Sequence, residues 1–310
     1  MSDTIQTTAS AAPASLRALL EGIVDYAGLF PPAKLSMADA VARYAETRTG
    51  DAAWMLGRFV VPAGRLSEFA EAAETFLGAS TEGGPWRISA LAGPELAADF
   101  ASIEAFNLAH CGRAVVDSVE IRASTAPALT SAASLVPTGM AAYFEIAADT
   151  PDEELAVLLA AVKDAHARAK IRTGGVTADA FPPPASVARF LAACAAAGVP
   201  LKATAGLHHP IRAEHRLTYE PDAPSGVMFG FLNVFLAAAF LRAGVGRDEV
   251  EALLEETDAA AVKFDEAGAE WRGHRLSTDE IRHAREGFAA SFGSCSFDEP
   301  VHDLKAMGLL

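Results

Sequence analysis

Lys170 in the run AKIRTGG and Lys202 in the run VPLKATAGLHHP each sit inside a short apolar stretch that ends in a glycine-containing turn. Such stretches read as strands, and a strand covered on both faces gives an ammonium no easy route to water. Each lysine therefore needs a carboxylate partner, a polar cavity, or surroundings that favour the neutral amine. The last two conditions are those of amine chemistry. A neutral lysine attacks a ketone or aldehyde, and the resulting iminium stabilises a carbanion at the adjacent carbon. Two ammoniums close together disfavour each other's charge, so Lys202 is expected to keep part of Lys170 neutral. Glu120 and Glu145 are the carboxylates available to shuttle a proton, a structural ion pair to Lys170 being the other reading of Glu145.

Residues for substrate recognition surround this pair. Arg172 and Arg212 offer planar forks for a carboxylate or phosphate, which implies a small anionic oxo-compound. Asp25, Thr204, His208 and His209 complete the expected substrate-contacting set. The adjacent histidines of LHHP point apart on an extended segment, so they chelate a divalent metal only with a third ligand such as Glu145, Glu120 or His215. The other reading gives one of them acid–base or anion-donor work. DYAGLFPPA (residues 25–33), stiffened by Pro31 and Pro32, reads as a substrate-contacting loop or a plain turn. SFGSCSFDEP (residues 291–300), which carries Cys295 and Glu299, reads as a surface turn or a flap over an opening.

The elements that must position these residues follow from periodicity. Strands are expected at 24–30, 57–61, 86–91, 118–123, 141–147, 169–173, 200–204 and 227–234, with Ala/Leu/Glu-rich helical segments between them. Glu120, Glu145, Lys170 and Lys202 are spaced by 25, 25 and 32 residues, the pitch of βα units. Eight such units favour a closed (β/α)8 barrel over an open sheet, and no GxGxxG follows a strand to support a dinucleotide site. Alternation then turns Glu120, Arg122, Tyr143, Glu145, Lys170, Arg172, Lys202 and Thr204 toward the barrel axis or its rim. Val119, Ile121, Phe144, Ile171, Leu201 and Ala203 face the helices. The division expected is a loose tail over 1–16, the barrel over 17–245, and a helical and hairpin extension over 246–310 packed on it. That extension holds a hairpin around VKFDEAGAEWRGHRLS and a helix capped by Ser277 and Glu280.

The stretches KIRTGG (170–175) and KATAGL (202–207) resemble the paired lysine motifs of class I aldolases of the deoxyribose-phosphate aldolase type. That resemblance implies a (β/α)8 barrel, a Schiff-base role for Lys170 on the sixth strand, and a neighbouring-cation role for Lys202 on the seventh. It also implies proton relay by Glu120. The sequence departs from the family at Arg172, where a small polar residue is usual. It departs again at His208 and His209 and at GFLNVF, where phosphate-binding turns are usual.

Composition bounds the remaining classes. The 310 residues are 51% hydrophobic, and 25 basic against 40 acidic residues give a formal charge of −15, which disfavours nucleic acid and anionic membranes as partners. The apolar window LNVFLAAAFLRAG is shorter than the roughly 20 residues a membrane span requires. Cys111, Cys194 and Cys295 show neither metal spacing nor a secretory framework, which points to a reducing compartment and the cytoplasm. A homo-oligomer is compatible with the Ala/Leu-rich surface. Three functions remain open. They are a class I aldolase or lyase without a cofactor, a metal-dependent lyase or hydrolase built on His208, His209 and a glutamate, and a non-enzymatic barrel that binds an anionic metabolite.

Overall fold

The computed structural model describes residues 12–78 and 83–310, and its centre is a ring of eight parallel strands closed on itself. Seven lie where alternation predicts: β1 (Val24–Tyr26), β2 (Leu56–Pro62), β3 (Trp86–Leu91), β4 (Ala114–Arg122), β5 (Ala141–Glu145), β6 (Arg168–Arg172) and β7 (Leu201–Thr204). After β7 come a two-stranded hairpin, β8 (Ala213–Arg216) with β9 (Ser225–Met228), and an antiparallel sheet of β10 (Val262–Phe264), β11 (Gly268–Trp271) and β12 (His274–Ser277). The last strand, β13 (Ala289–Ser294), lies between β1 and β7 and closes the barrel.

Helices on the outside are α1 (Ala14–Leu20), α2 (Met37–Thr47), α3 (Leu66–Leu77), α4 (Leu96–Ala109), α5 (Ala126–Ala133), α6 (Asp152–Asp164), α7 (Pro184–Ala197), α8 (Phe231–Arg242), α9 (Arg247–Leu254), α10 (Thr278–Gly287) and α11 (Asp298–Ala306). Their ends follow local chemistry. The Ser36 and Thr125 side chains cap α2 and α5, α7 opens on a proline and stops at left-handed Gly198, and α10 carries the expected Ser277–Glu280 capping box. No helix among the described residues is long and apolar enough to cross a membrane.

The apolar core lies between the outer faces of the strands and the helices, and Val119, Ile121, Phe144, Ile171, Leu201 and Ala203 all belong to it. The inner faces bury Asp25, Ser89, Ser118, Glu120, Lys170, Lys202 and Ser291 instead. A barrel interior is normally filled by branched apolar side chains, so this polar filling marks where the fold departs from simple packing.

Two sequence expectations are corrected. The eighth strand is not at 227–234, because Phe231 through Phe240 form the buried part of helix α8. An apolar run of that kind lacks the one-sided periodicity that separates helix from strand. The true strand, AASFGS, is small and polar because its inward Ser291 serves the charged interior. The barrel boundary at residue 245 moves accordingly, since the segment 246–310 holds the closing strand as well as the three-stranded sheet packed on α1 and α10. Of the expected tail, residues 1–11 lie outside the described residues, while Ala14 to Leu16 already belong to helix α1, with Leu16 fully buried.

Candidate active site

Five ionisable side chains from five strands meet in the barrel interior. Lys202 Nζ on β7 donates to Asp25 Oδ2 on β1 at 2.6 Å and to Glu120 Oε1 on β4 at 2.8 Å. Lys170 Nζ on β6 lies 2.7 Å from Glu120 Oε2 and 2.7 Å from Glu145 Oε2 on β5. Parallel register brings these partners together, because Glu145 pairs with Lys170 and Lys170 with Lys202 across adjacent strands. The Lys170–Glu145 contact is a charge pair without hydrogen-bond alignment, so Glu145 Oε2 has no hydrogen-bond partner.

Neutral groups hold the deeper half of the cluster. Ser291 Oγ donates to Asp25 Oδ2 at 2.7 Å, Ser89 Oγ donates to Glu120 Oε1 at 3.1 Å, and the Arg58 amide donates to Asp25 Oδ1 at 2.9 Å. That amide comes close because position 57 is glycine: a Cβ there would lie 2.6 Å from Asp25 Oδ1. Lys202 Nζ also sits 5.2 Å from the Tyr143 ring centroid, within cation–π range.

The electrostatic result differs from simple repulsion between two amines. Burial alone would raise the Glu120 pKa, but the ammoniums of Lys202 and Lys170 outweigh it and bring the carboxyl down to about 2. Burial likewise opposes ionisation of Asp25, yet Lys202 and Arg58 hold it below its ordinary value. Burial works against the Lys202 charge, but Asp25 and Glu120 prevail and raise its pKa. The expected role of Lys202 as a bare cation pressing on Lys170 is therefore corrected: Glu120 stands between the two, one oxygen on each.

Only one of the two lysines reaches open space. A cavity of about 220 Å3 at the barrel mouth is lined by Lys170, Glu120, Arg172, Thr204, His208 and Cys295. Ala27, Phe30, Pro31 and Pro32 of DYAGLFPPA add a wall, in line with the loop rather than the plain-turn reading of that segment. Lys202 lies beneath, its side chain 1% exposed. The glycine turns after β6 and β7 line part of the cavity and approach each other closely. Gly206 has φ +72°, and a Cβ there would lie 2.6 Å from the Phe181 ring and 2.9 Å from Gly174 Cα. Beyond Arg172 a wider groove of about 730 Å3 continues past Arg122 and Glu145.

Several expected contacts lie elsewhere. Asp25 is fully buried and holds Lys202, so it positions the amine and does not line the cavity. Arg212 sits 5.0 Å over the Phe229 ring, away from the cavity wall. His209 bonds Asp303 at 2.6 Å and stacks on His215 with centroids 3.4 Å apart. The metal set of His208, His209 and Glu145 is not assembled, since His208 Nδ1 lies 3.0 Å from Glu299 and Glu145 is turned to Lys170. Among the described residues no group of three His, Cys, Asp or Glu side chains is arranged to hold a metal ion. Sequence reasoning missed Ser89, Ser291 and Tyr219. Ser89 carried a faint signal as a small polar residue between apolar neighbours in β3, whereas Ser291 sits in a strand of small and polar residues that does not announce itself.

No family model matches the sequence, and no curated protein matches it. Among solved structures the chain is similar to deoxyribose phosphate aldolase from Aeropyrum pernix, described as having a unique tetrameric structure. The likeness has 11% sequence identity and a TM-score of 0.48, and covers 95% of this chain and 97% of that one. It is a likeness of overall layout, and the barrel stands on this chain's own strand pairing.

Proposed function

We propose that the protein is a class I aldolase or related lyase that forms an imine between Lys170 and the carbonyl of a small anionic oxo-compound. The observation that carries this reading is the placement of Lys170, the one lysine lining the cavity among the described residues, between Glu120, which lines the cavity with it, and Glu145, which lines the adjoining groove.

Before attack the Lys170 ammonium must release a proton, and two acceptors lie at 2.7 Å. Glu120 is held anionic by a second ammonium, whereas Glu145 is partly exposed and lacks a hydrogen bond on the oxygen facing Lys170. Glu145 is thus the better acceptor. The freed amine adds to the carbonyl carbon, and the carbinolamine loses its hydroxyl as water with the proton returned from Glu145. Iminium replaces ammonium, one positive charge for another, so the same two carboxylates hold both states without rearrangement. Lys202 serves as a fixed counter-charge that keeps Glu120 ionised beside the iminium. Arg172, shared by cavity and groove, is the group placed to receive the substrate's anionic end.

Borohydride reduction in the presence of pyruvate, acetaldehyde or dihydroxyacetone phosphate tests the reading. A reduced adduct on the tryptic peptide containing Lys170, absent from Lys170→Met, is the expected result. A wild-type protein that none of the three carbonyls labels at Lys170 would defeat it.

A further inference from the structure

We propose that His208, oriented by Glu299, is a second and separate acid–base group, which takes the proton of the substrate hydroxyl when the carbon–carbon bond breaks. The inference rests on the imine reading and extends it to the far end of the substrate.

His208 lines the same cavity as Lys170 and is 8% exposed. Its Nδ1 lies 3.0 Å from Glu299 Oε2, and a carboxylate only accepts, so Nδ1 carries the hydrogen and Nε2 is left for the cavity. No protein hydrogen bond reaches Nε2 among the described residues. Glu299 stands in the first turn of α11 and also accepts from Tyr219 Oη at 3.1 Å, a residue in the turn between β8 and β9. The Tyr219 hydroxyl in turn lies 3.6 Å from Cys295 Sγ. The stretch after β7 that carries His208 and Tyr219 thus meets the distant segment around Cys295 and Glu299 to fix one imidazole. Burial works to raise the Glu299 pKa, but the bonds from His208 and Tyr219 outweigh it and keep the carboxyl below its ordinary value, ready to balance an imidazolium.

The lysine–carboxylate cluster serves the carbonyl carbon, whereas a retro-aldol step also needs a base one carbon further out. His208 Nε2 takes the β-hydroxyl proton. The Cα–Cβ bond breaks, its electron pair passes to the iminium nitrogen to give the enamine, and the hydroxyl oxygen becomes the carbonyl of the departing aldehyde. His208 then releases its proton to solvent, and the enamine carbon recovers one from solvent, which closes the balance. In the synthetic direction the same imidazolium protonates the new alkoxide.

The groups facing His208 that titrate or carry charge are Glu299 and Asp303 of α11, Tyr219 and His215 of the hairpin region, Cys295, neighbouring His209, and Lys170, Glu120 and Arg172 across the cavity. A pH profile alone is therefore ambiguous, and the test separates two half-reactions. Deuterium exchange at the carbon next to the carbonyl of pyruvate, acetaldehyde or dihydroxyacetone phosphate reads imine and enamine formation without a β-hydroxyl. Addition of that carbon to glyceraldehyde reads the hydroxyl step.

His208→Gln should keep borohydride labelling of Lys170 and deuterium exchange within about twofold, while slowing carbon–carbon bond formation by about 100-fold or more. The falling limb of the pH profile for bond formation, where the imidazolium is lost, should vanish in His208→Gln. In Glu299→Gln it should move to lower pH, because the imidazolium has lost its counter-charge. Tyr219→Phe, at a half-exposed position, should give a smaller shift in the same direction and guards against misfolding of the other variants. Equal loss of exchange and bond formation, or an unchanged rate of bond formation with labelling intact, overturns the assignment to His208. Failure to label Lys170 in the wild type overturns the imine reading itself.

Discussion

Lys170 and Lys202 are the same residue type on adjoining strands, and their surroundings give them different work. Lys202 neutralises two buried carboxylates that have no other cation within bonding distance except Lys170 on the far oxygen of Glu120. Removing it strands Asp25 and Glu120 in the barrel interior, and breaking a buried pair of this kind costs about 3–5 kcal/mol. Lys202→Met should therefore lower stability by that amount in urea denaturation, whereas Lys170→Met should cost clearly less. Its partner Glu145 reaches solvent, and Glu120 keeps Lys202 and Ser89. Equal losses for the two variants would contradict this division. The paired lysines were legible in the sequence because an ammonium in an apolar strand demands a reason. Depth along the barrel axis was not legible, so Asp25 read as a substrate contact when it lies below the cavity and holds an amine. Tyr219 was invisible for another reason: its partner Glu299 is 80 residues away and nothing local ties them.

At the scale of elements, the strands whose outer face is apolar were readable and the closing strand was not. β6 and β7 advertise themselves through Ile171, Leu201 and Ala203, while β13 presents serine and glycine to a charged interior and resembles a loop. Helix α8 misleads in the opposite direction, since it is apolar on every side and sits in the wall against α7, α9 and α10. One polar residue inside it does structural work. Asn233 is fully buried; its Oδ1 accepts from the Arg212 amide at 3.0 Å, and its Nδ2 donates to the carbonyls of Leu253 at 2.7 Å and Glu256 at 2.9 Å. It thereby ties the segment after β7, which carries His208, to the end of α9. Asn233→Leu keeps the size and deprives three backbone groups of a partner, each costing about 1–3 kcal/mol when it stays dry. The expected outcome is a lower urea midpoint with an unchanged slope, together with a higher KM from the loosened loop. A stability change under about 0.5 kcal/mol, the level of an ordinary surface substitution, would count against the tie.

For the whole molecule, a net charge of −15 encloses a cluster in which three carboxylates face two ammoniums, and this sets how stability depends on pH. The fold class was legible at this scale because the βα pitch survives local errors in placing elements. The charge balance of the interior was not, since it depends on which side chains meet. Glu120 falls from an ordinary 4.5 to about 2 on folding, so its contribution is complete above 4.5 and disappears as pH falls toward 2. Asp25 is also lowered and acts in the same direction. Lys202 is raised above its ordinary 10.5, so its contribution is complete below 10.5 and is lost as pH rises through the higher folded value. The urea midpoint should therefore be nearly level from about pH 5 to pH 10 as far as this cluster governs it, and fall on both sides. Glu120→Gln should lower the plateau, because two lysines then share less negative charge, and should flatten the acid limb, because the group that takes up the proton is gone. Lys202→Met should move the acid limb to higher pH, because Asp25 and Glu120 then bind protons more readily without their counter-ion. If Glu120→Gln kept an acid limb as steep as that of the wild type, the protons that unfold this barrel in acid would be binding somewhere other than between the two lysines.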